Sequence, residues 1–178
     1  MRKGENIMSN LRAERIEIIP LSAEQLRLWV NDIQSLEKQL DCHYEGEPVM
    51  GSFVDFIKGQ AIAVENDPEN YQYHTLWFIV RESDRVVMGE IAIYGLPNEN
   101  REVEVGYGLN PRFQGKGYMT EAVKAISQWA LSQKNVEYVM AETNNNEKSE
   151  NTLTAAGFTK YKQNEDSIWW RLSDKENH

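Results

Sequence analysis

Residues 102–109 alternate strictly, with Val103, Val105, Tyr107 and Leu109 apolar and Glu102, Glu104, Gly106 and Gly108 between them. A period of two predicts a strand with two unlike faces. Pro111 ends it, because proline has no N–H to give to a ladder. From Met119 the apolar positions switch to helical spacing, through Ala122, Val123, Ile126, Trp129 and Ala130, and predict an amphipathic helix to about residue 133. The two periods meet at residues 112–117, RFQGKG. Such a turn leaves backbone N–H groups uncovered at a helix N-terminus, which suits a phosphate.

The same reading extends along the chain. A first strand is expected over residues 13–19. Ser22 with Gln25 three residues on forms a capping box, opening a helix with Leu26, Trp29, Val30 and Ile33 on one face; it runs to Leu40 and bends near Asp32. Residues 42–51 read as irregular, with Gly46 and Pro48 as breakers. Ser52, with Asp55 three residues later, is expected to cap a second helix to about residue 63, and residues 67–70 form a turn. Strands at 74–81 and 86–95 pair as an antiparallel hairpin. The strand at 136–143 follows a helix, so it lies parallel to the strand at 102–109 in a right-handed crossover. A short helix at 147–156 ends at Gly157, and a hairpin of 158–162 with 168–172 closes the sheet. The sum is a single α/β (α+β) domain: a mixed, mostly antiparallel sheet with one central parallel pair and helices on both faces. The expected boundaries are a frayed leader at 1–12, the domain at 13–172 and a tail at 173–178.

Composition narrows the function. The chain has 178 residues, 40% hydrophobic and 26% charged, which suits one globular domain. No apolar run approaches the roughly 20 residues that span a bilayer, so no membrane partner is expected. The net charge of −9 argues against nucleic acid and suits a cationic substrate. Cys42 is alone, which rules out an internal disulfide, reads as structural and fits a cytoplasmic location. His43, His74 and His178 have no metal-site spacing, so no metal is expected.

Two nucleotide motifs fail at the turn. A Walker loop would need Gly where Asn110 stands and a hydroxyl where Gly117 stands. A dinucleotide fingerprint would need Gly where Thr120 stands. What remains is Arg/Gln-x-x-Gly-x-Gly/Ala, satisfied by Arg112, Gly115 and Gly117. With the string LNPRFQGKGYMTEA, then Asn146 and Ser149 in Asn-x-x-Ser, then Ala156, Gly157 and Phe158, the chain resembles the GNAT superfamily of N-acetyltransferases. It is most similar to the branch that includes the ribosomal-protein N-terminal acetyltransferases. The resemblance covers about residues 13–172, most specifically 86–158.

That resemblance implies acetyl-CoA as co-substrate and a primary amine as acceptor, either a protein N-terminus or a small amine. Backbone amides from Gln114 through Tyr118 would hold the pyrophosphate, and a Cβ at Gly115 or Gly117 would hinder them. Arg112 and Lys116 add charge or are simply solvated; Met119 and Thr120, which open the helix, are expected to bind the coenzyme as well. The two parallel strands would splay near Tyr107–Leu109 and Val139–Ala141 to admit the pantetheine arm, with Gly106 and Gly108 fitting a bulge that frees the N–H of Leu109 or a neighbour. Asn146 would reach the pantetheine amide or cap its helix. The base is Glu104 first and Glu102 second. The tyrosine that often serves as acid is replaced by Leu153, and Ser149 is the proposed substitute. One of Trp169 and Trp170 should face outward, lining the acceptor cleft or a subunit contact such as a homodimer. A non-catalytic acyl-CoA-binding module is the alternative.

Overall fold

The structure, a computed structural model, describes residues 10–177. Most of the expected leader, residues 1–9, and His178 lie outside the described residues. Nine strands form one sheet in the order β1-β2-β4-β5-β6-β7-β9-β8, with β3 added beside β5. They are β1 (Leu11–Arg12), β2 (Ile16–Pro20), β3 (His43–Tyr44), β4 (Leu76–Arg81), β5 (Val86–Ile93), β6 (Glu102–Leu109), β7 (Tyr138–Thr143), β8 (Thr159–Gln163) and β9 (Ile168–Leu172). Helices α1 (Ala23–Asn31), α2 (Ile33–Leu40) and α3 (Ser52–Asn66) cover one face; α4 (Tyr118–Leu131) and α5 (Glu147–Ala155) cover the other.

Each face has its own core. Ile19, Leu26, Trp29, Ile57 and Phe78 pack under α1–α3, and Ile79, Ile91, Val105, Val123, Ile126 and Leu153 pack under α4 and α5. The apolar alternation read from β6 therefore chooses its face: Val103 and Val105 are buried toward α4, while Glu104 turns to the α1–α3 side with its carboxyl partly covered.

Several local expectations are met. The Ser22–Gln25 capping box closes in both directions. Asp32, extended at φ −156°, separates α1 from α2 and accepts a hydrogen bond from the Ser35 N–H. Others are corrected. Leu11 and Arg12, expected in the leader, pair antiparallel with Ile18 and Glu17. Gly51, at φ +64°, caps α3 in place of Ser52, which is already helical. His43 and Tyr44, in the stretch read as irregular, pair parallel with Val86 and Val87.

The parallel pair decides where a ligand can enter. β6 and β7 are joined only at Glu102–Tyr138, Val103–Val139 and Glu104–Met140. Beyond Glu104 the strands part, so on β7 the gap opens only after Met140, although Val139 and Met140 fall in the stretch expected to splay. The expected bulge in β6 is absent: β5 and β6 pair without a slip from Ile93–Val105 to Gly89–Leu109. Gly106 and Gly108 serve another purpose. A Cβ on Gly106 would collide with the Tyr94 ring, and one on Gly108 would stand 2.7 Å from Glu90 Oε1. The two glycines make room for side chains crossing from β5.

Candidate active site

The phosphate-ready turn is built from its flanks. Asn110 Oδ1 accepts from the Arg112 N–H at 3.2 Å and starts a single 3-10 turn over Pro111–Phe113. Phe113 is buried and anchors the turn beneath the guanidinium groups of Arg81 and Arg112, each 5.1 Å from its ring. Gly115 (φ +77°) and Gly117 (φ +82°) then adopt left-handed conformations that a Cβ disfavours. Gly117 is the N-cap of α4 and brings no side-chain cap. The first N–H of the expected donor run, that of Gln114, is taken by the Pro111 carbonyl at 3.2 Å. Among the described residues the N–H groups from Gly115 to Thr120 have no partner, and the next, Glu121 N–H, closes the helix on Gly117. Six successive donors thus stand at the positive end of a 14-residue helix.

Arg15, which sequence reasoning passed over, braces this turn from behind. Its Nη1 donates to the Lys116 carbonyl at 3.0 Å, its Nε to Glu121 at 2.9 Å, and its guanidinium lies 4.3 Å from the centre of the Tyr118 ring. On the front, Gln114 Nε2 donates to the Leu109 carbonyl at 3.0 Å, and Lys148 Nζ reaches Gln114 Oε1 at 2.9 Å. Lys148 was not anticipated; it carries a positive charge from α5 across to the turn.

A cleft of about 700 Å³ runs from the turn toward the gap between β6 and β7. Of the expected coenzyme residues, Tyr107, Leu109, Gln114, Gly115, Gly117, Tyr118, Met119, Thr120, Asn146 and Ser149 all line it. Arg112 and Lys116 do not. Arg112 is ion-paired with Glu45, while Lys116 offers its carbonyl to Arg15. Asn146 caps α5, its Oδ1 accepting from the Ser149 N–H at 3.1 Å. The Ser149 hydroxyl stands beside the Tyr107 phenol, which also donates to the Ser149 carbonyl at 3.4 Å. Burial raises that phenol to about 12. Leu153 is fully buried in the core beneath α5.

Backbone alternation supplies the gap with donors. Tyr94 N–H bonds the Glu104 carbonyl and Asn110 N–H bonds the Met88 carbonyl, so even-numbered residues of β6 turn their polar groups toward β5. In an antiparallel ladder the intervening residues then point the other way. The N–H groups of Tyr107 and Leu109 accordingly face the gap.

Four acidic side chains lie along the α1–α3 face of this opening. Glu104 is the last paired residue before the strands part, and partial burial followed by the charge of Glu142 pushes its carboxyl above the usual carboxylate range. Glu102 is engaged by the loop before it, accepting from Asn98 Nδ2 at 2.9 Å. Trp169, paired across from Glu142, shares their face, whereas Trp170 is buried and donates to Thr143 Oγ1 at 2.9 Å.

Glu90, like Glu142, was missed from sequence. It stands on β5 opposite Gly108, has no hydrogen-bond or ion-pair partner among the described residues, and burial raises it to about 7. Its signal was legible: it is the only charged residue in the eight of β5. The raised pKa is also a stability statement. Between the ordinary value of 4.5 and about 7 the folded chain keeps a proton that the unfolded chain has lost, so stability falls as pH rises through that window. Glu90→Gln is therefore expected to stabilise the protein at pH 8 by about 3 kcal/mol and to have little effect at pH 4.5. Thermal unfolding of both proteins at the two pH values checks it; equal shifts at both would contradict the burial. Cys42 behaves differently: burial holds its thiol at about 11, too high for a thiolate nucleophile at neutral pH.

Residues 15–159 match the family model described as an acetyltransferase (GNAT) domain. Among curated relatives, an uncharacterized N-acetyltransferase YjdG of Bacillus subtilis (strain 168) is 29% identical over 153 residues, covering 79% of this chain and 90% of that one. Among solved structures, the ribosomal-protein-S5-alanine acetyltransferase from Vibrio fischeri superposes with a TM-score of 0.69 at 18% identity, covering 94% of this chain and 98% of that one. The microcin C7 self-immunity acetyltransferase MccE, solved with acetyl-CoA and AMP, gives 0.58 at 21% identity, covering 90% and 93%.

Proposed function

Because the chain belongs to the GNAT acetyltransferase family, and is thus an acyltransferase, we propose that it moves an acetyl group from acetyl-CoA to a primary amine by direct attack in a ternary complex. The observation that carries this reading is the run of six unpartnered amides, Gly115 to Thr120, at one end of a cleft whose other end is the gap beyond Glu104. The amides, with Lys148 beside them, suit the pyrophosphate; Asn146 and the strand edge of β6 suit the pantetheine arm.

Bound acetyl-CoA supplies an activated thioester, and the protein does the rest. Glu104 takes the proton that the acceptor ammonium must lose, directly or through one water. The N–H groups of Tyr107 and Leu109 stabilise the negative charge that grows on the carbonyl oxygen as the C–N bond forms. As the C–S bond breaks, the Ser149 hydroxyl relays to the departing sulfur the second proton that the attacking nitrogen loses, so the sulfur leaves as the thiol and Ser149 keeps its own hydroxyl. No thiol nucleophile or metal is required. An α-amino group, at about 8, loses its proton more readily than a lysine, at about 10.4. Protein N-termini and small amines are both acceptors of this chemistry.

A thiol-release screen with acetyl-CoA against amines and short peptides tests the proposal, with mass spectrometry of the acceptor. Thiol release matched mole for mole by acetylated amine is expected. Coenzyme binding without release from any amine would instead mark an acyl-CoA-binding module, the alternative that rests on Leu153 standing where the family's acid tyrosine is often found.

A further inference from the structure

A second cavity, of about 310 Å³, lies on the α1–α3 side of the sheet and shares Gly108, Leu109 and Pro111 with the coenzyme cleft. Its walls are of two kinds. Tyr44 and Phe78 present stacked rings 5.9 Å apart at 29°. Glu90 presents its carboxylate in the notch left by Gly108. Tyr44 from β3, Phe78 from β4, Gly108 from β6 and Tyr94 just past the end of β5 are the neighbours of that carboxylate, Glu47 lines the same cavity, and none of them brings a positive charge to it. A half-buried carboxylate beside aromatic faces is the chemistry of a cation site: the anion supplies charge, and the rings attract a cation at about 6 Å.

We propose that this cavity binds a second cationic group of the acceptor, held by Glu90 against the aromatic wall that Tyr44 and Phe78 form, so that the preferred substrate is a diamine or a similar amine with a distal positive charge. This deepens the acetyltransfer reading and rests on it. Glu104 marks the start of the gap, where the reacting nitrogen is placed, and Glu90 stands opposite Gly108, four residues further along β6. Four residues of strand cover roughly 13 Å. An acceptor that meets both carboxylates therefore needs a chain of comparable reach, with the two charges at its ends. A monoamine satisfies Glu104 and leaves Glu90 unpaired.

The test compares octamethylenediamine with octylamine, matched in length and differing in the distal charge, on the wild-type protein, Glu90→Gln and Glu104→Gln. With acetyl-CoA, wild type is expected to show a KM for the diamine at least tenfold below that for octylamine. Glu90→Gln should raise the diamine KM at least tenfold with little change in kcat, and leave the octylamine KM alone. Glu104→Gln should lower kcat for both amines. Equal KM values for the two amines in wild type, or a diamine KM unmoved by Glu90→Gln, would overturn the proposal. Calorimetric titration of the diamine into the protein, alone and saturated with coenzyme A, separates this from the underlying reading. Coenzyme binding without Glu90-dependent diamine binding removes the cation site only. Glu90-dependent diamine binding to a protein that takes no coenzyme keeps the cation site and removes the acetyltransferase. Because Glu90→Gln is expected to be the more stable protein above pH 7, loss of fold does not mimic the result.

Discussion

Gly117→Glu is expected to raise the coenzyme dissociation constant by on the order of 100-fold or more. Three effects act together at that position. The residue sits at φ +82°, where any side chain costs roughly 1–2 kcal/mol of backbone strain, so the turn would relax away from its present shape. A Cβ there would meet Arg15 Nη2 at 3.3 Å, disturbing the guanidinium that fixes the Lys116 carbonyl. Finally, the new carboxylate would stand at the N-terminus of α4, competing for the same amides and repelling a diphosphate. Loss of two charge-assisted hydrogen bonds at about 1.5–3 kcal/mol each accounts for the size of the effect. Gly115→Ala is the informative contrast. No atom lies within 4 Å of its Cβ position, so only the φ of +77° opposes it, and a smaller loss is expected. Isothermal titration with coenzyme A reads both. Unchanged affinity in Gly117→Glu would show that the turn is not the diphosphate site.

The turn was legible because its determinants are local: proline, two glycines and a change of hydrophobic period all fall within a few residues. The same holds for the capping box at Ser22 and for the switch at Asp32. What escaped the sequence depends on partners far along the chain. Arg15 reaches Lys116 and Glu121 across the junction of β2 with α4, and nothing near residue 15 announces it. Arg112 fits the motif, yet its ion pair with Glu45 comes from a loop with no periodicity to read. Gly106 and Gly108 fit a bulge by sequence because glycine in a strand has two common causes, and only the register with β5 separates them. There the cause is close approach, by Tyr94 and Glu90. Glu90 itself illustrates the general difficulty. A lone charge in an apolar strand signals function, but its partner cavity is assembled from β3, β4 and β6, whose order in the sheet no local pattern reveals.

Glu104→Gln is expected to lower turnover by roughly 100-fold or more, the range for losing a general base, while coenzyme affinity stays near that of wild type. The separation follows from position. Glu104 is on the α1–α3 side of β6, at the last ladder pair before the gap, whereas the residues lining the coenzyme cleft lie on the other side or beyond the opening. The variant keeps the shape of the side chain and leaves the backbone ladder untouched, so the strand pairing should survive. The pH profile gives a sharper reading than the rate alone. A base acts when deprotonated, and burial together with the charge of Glu142 raises the Glu104 carboxyl. The acid limb of wild-type turnover should therefore lie at higher pH than an ordinary carboxylate would set. Glu142→Gln removes one of the two causes and should move that limb to lower pH, with the plateau kept; burial, the larger cause, remains. In Glu104→Gln the limb should vanish along with most of the rate. Stopped assays of thiol release across the pH range, in the three proteins, decide the matter. Full turnover in Glu104→Gln at neutral pH would pass the proton to another acceptor and remove Glu104 from the mechanism.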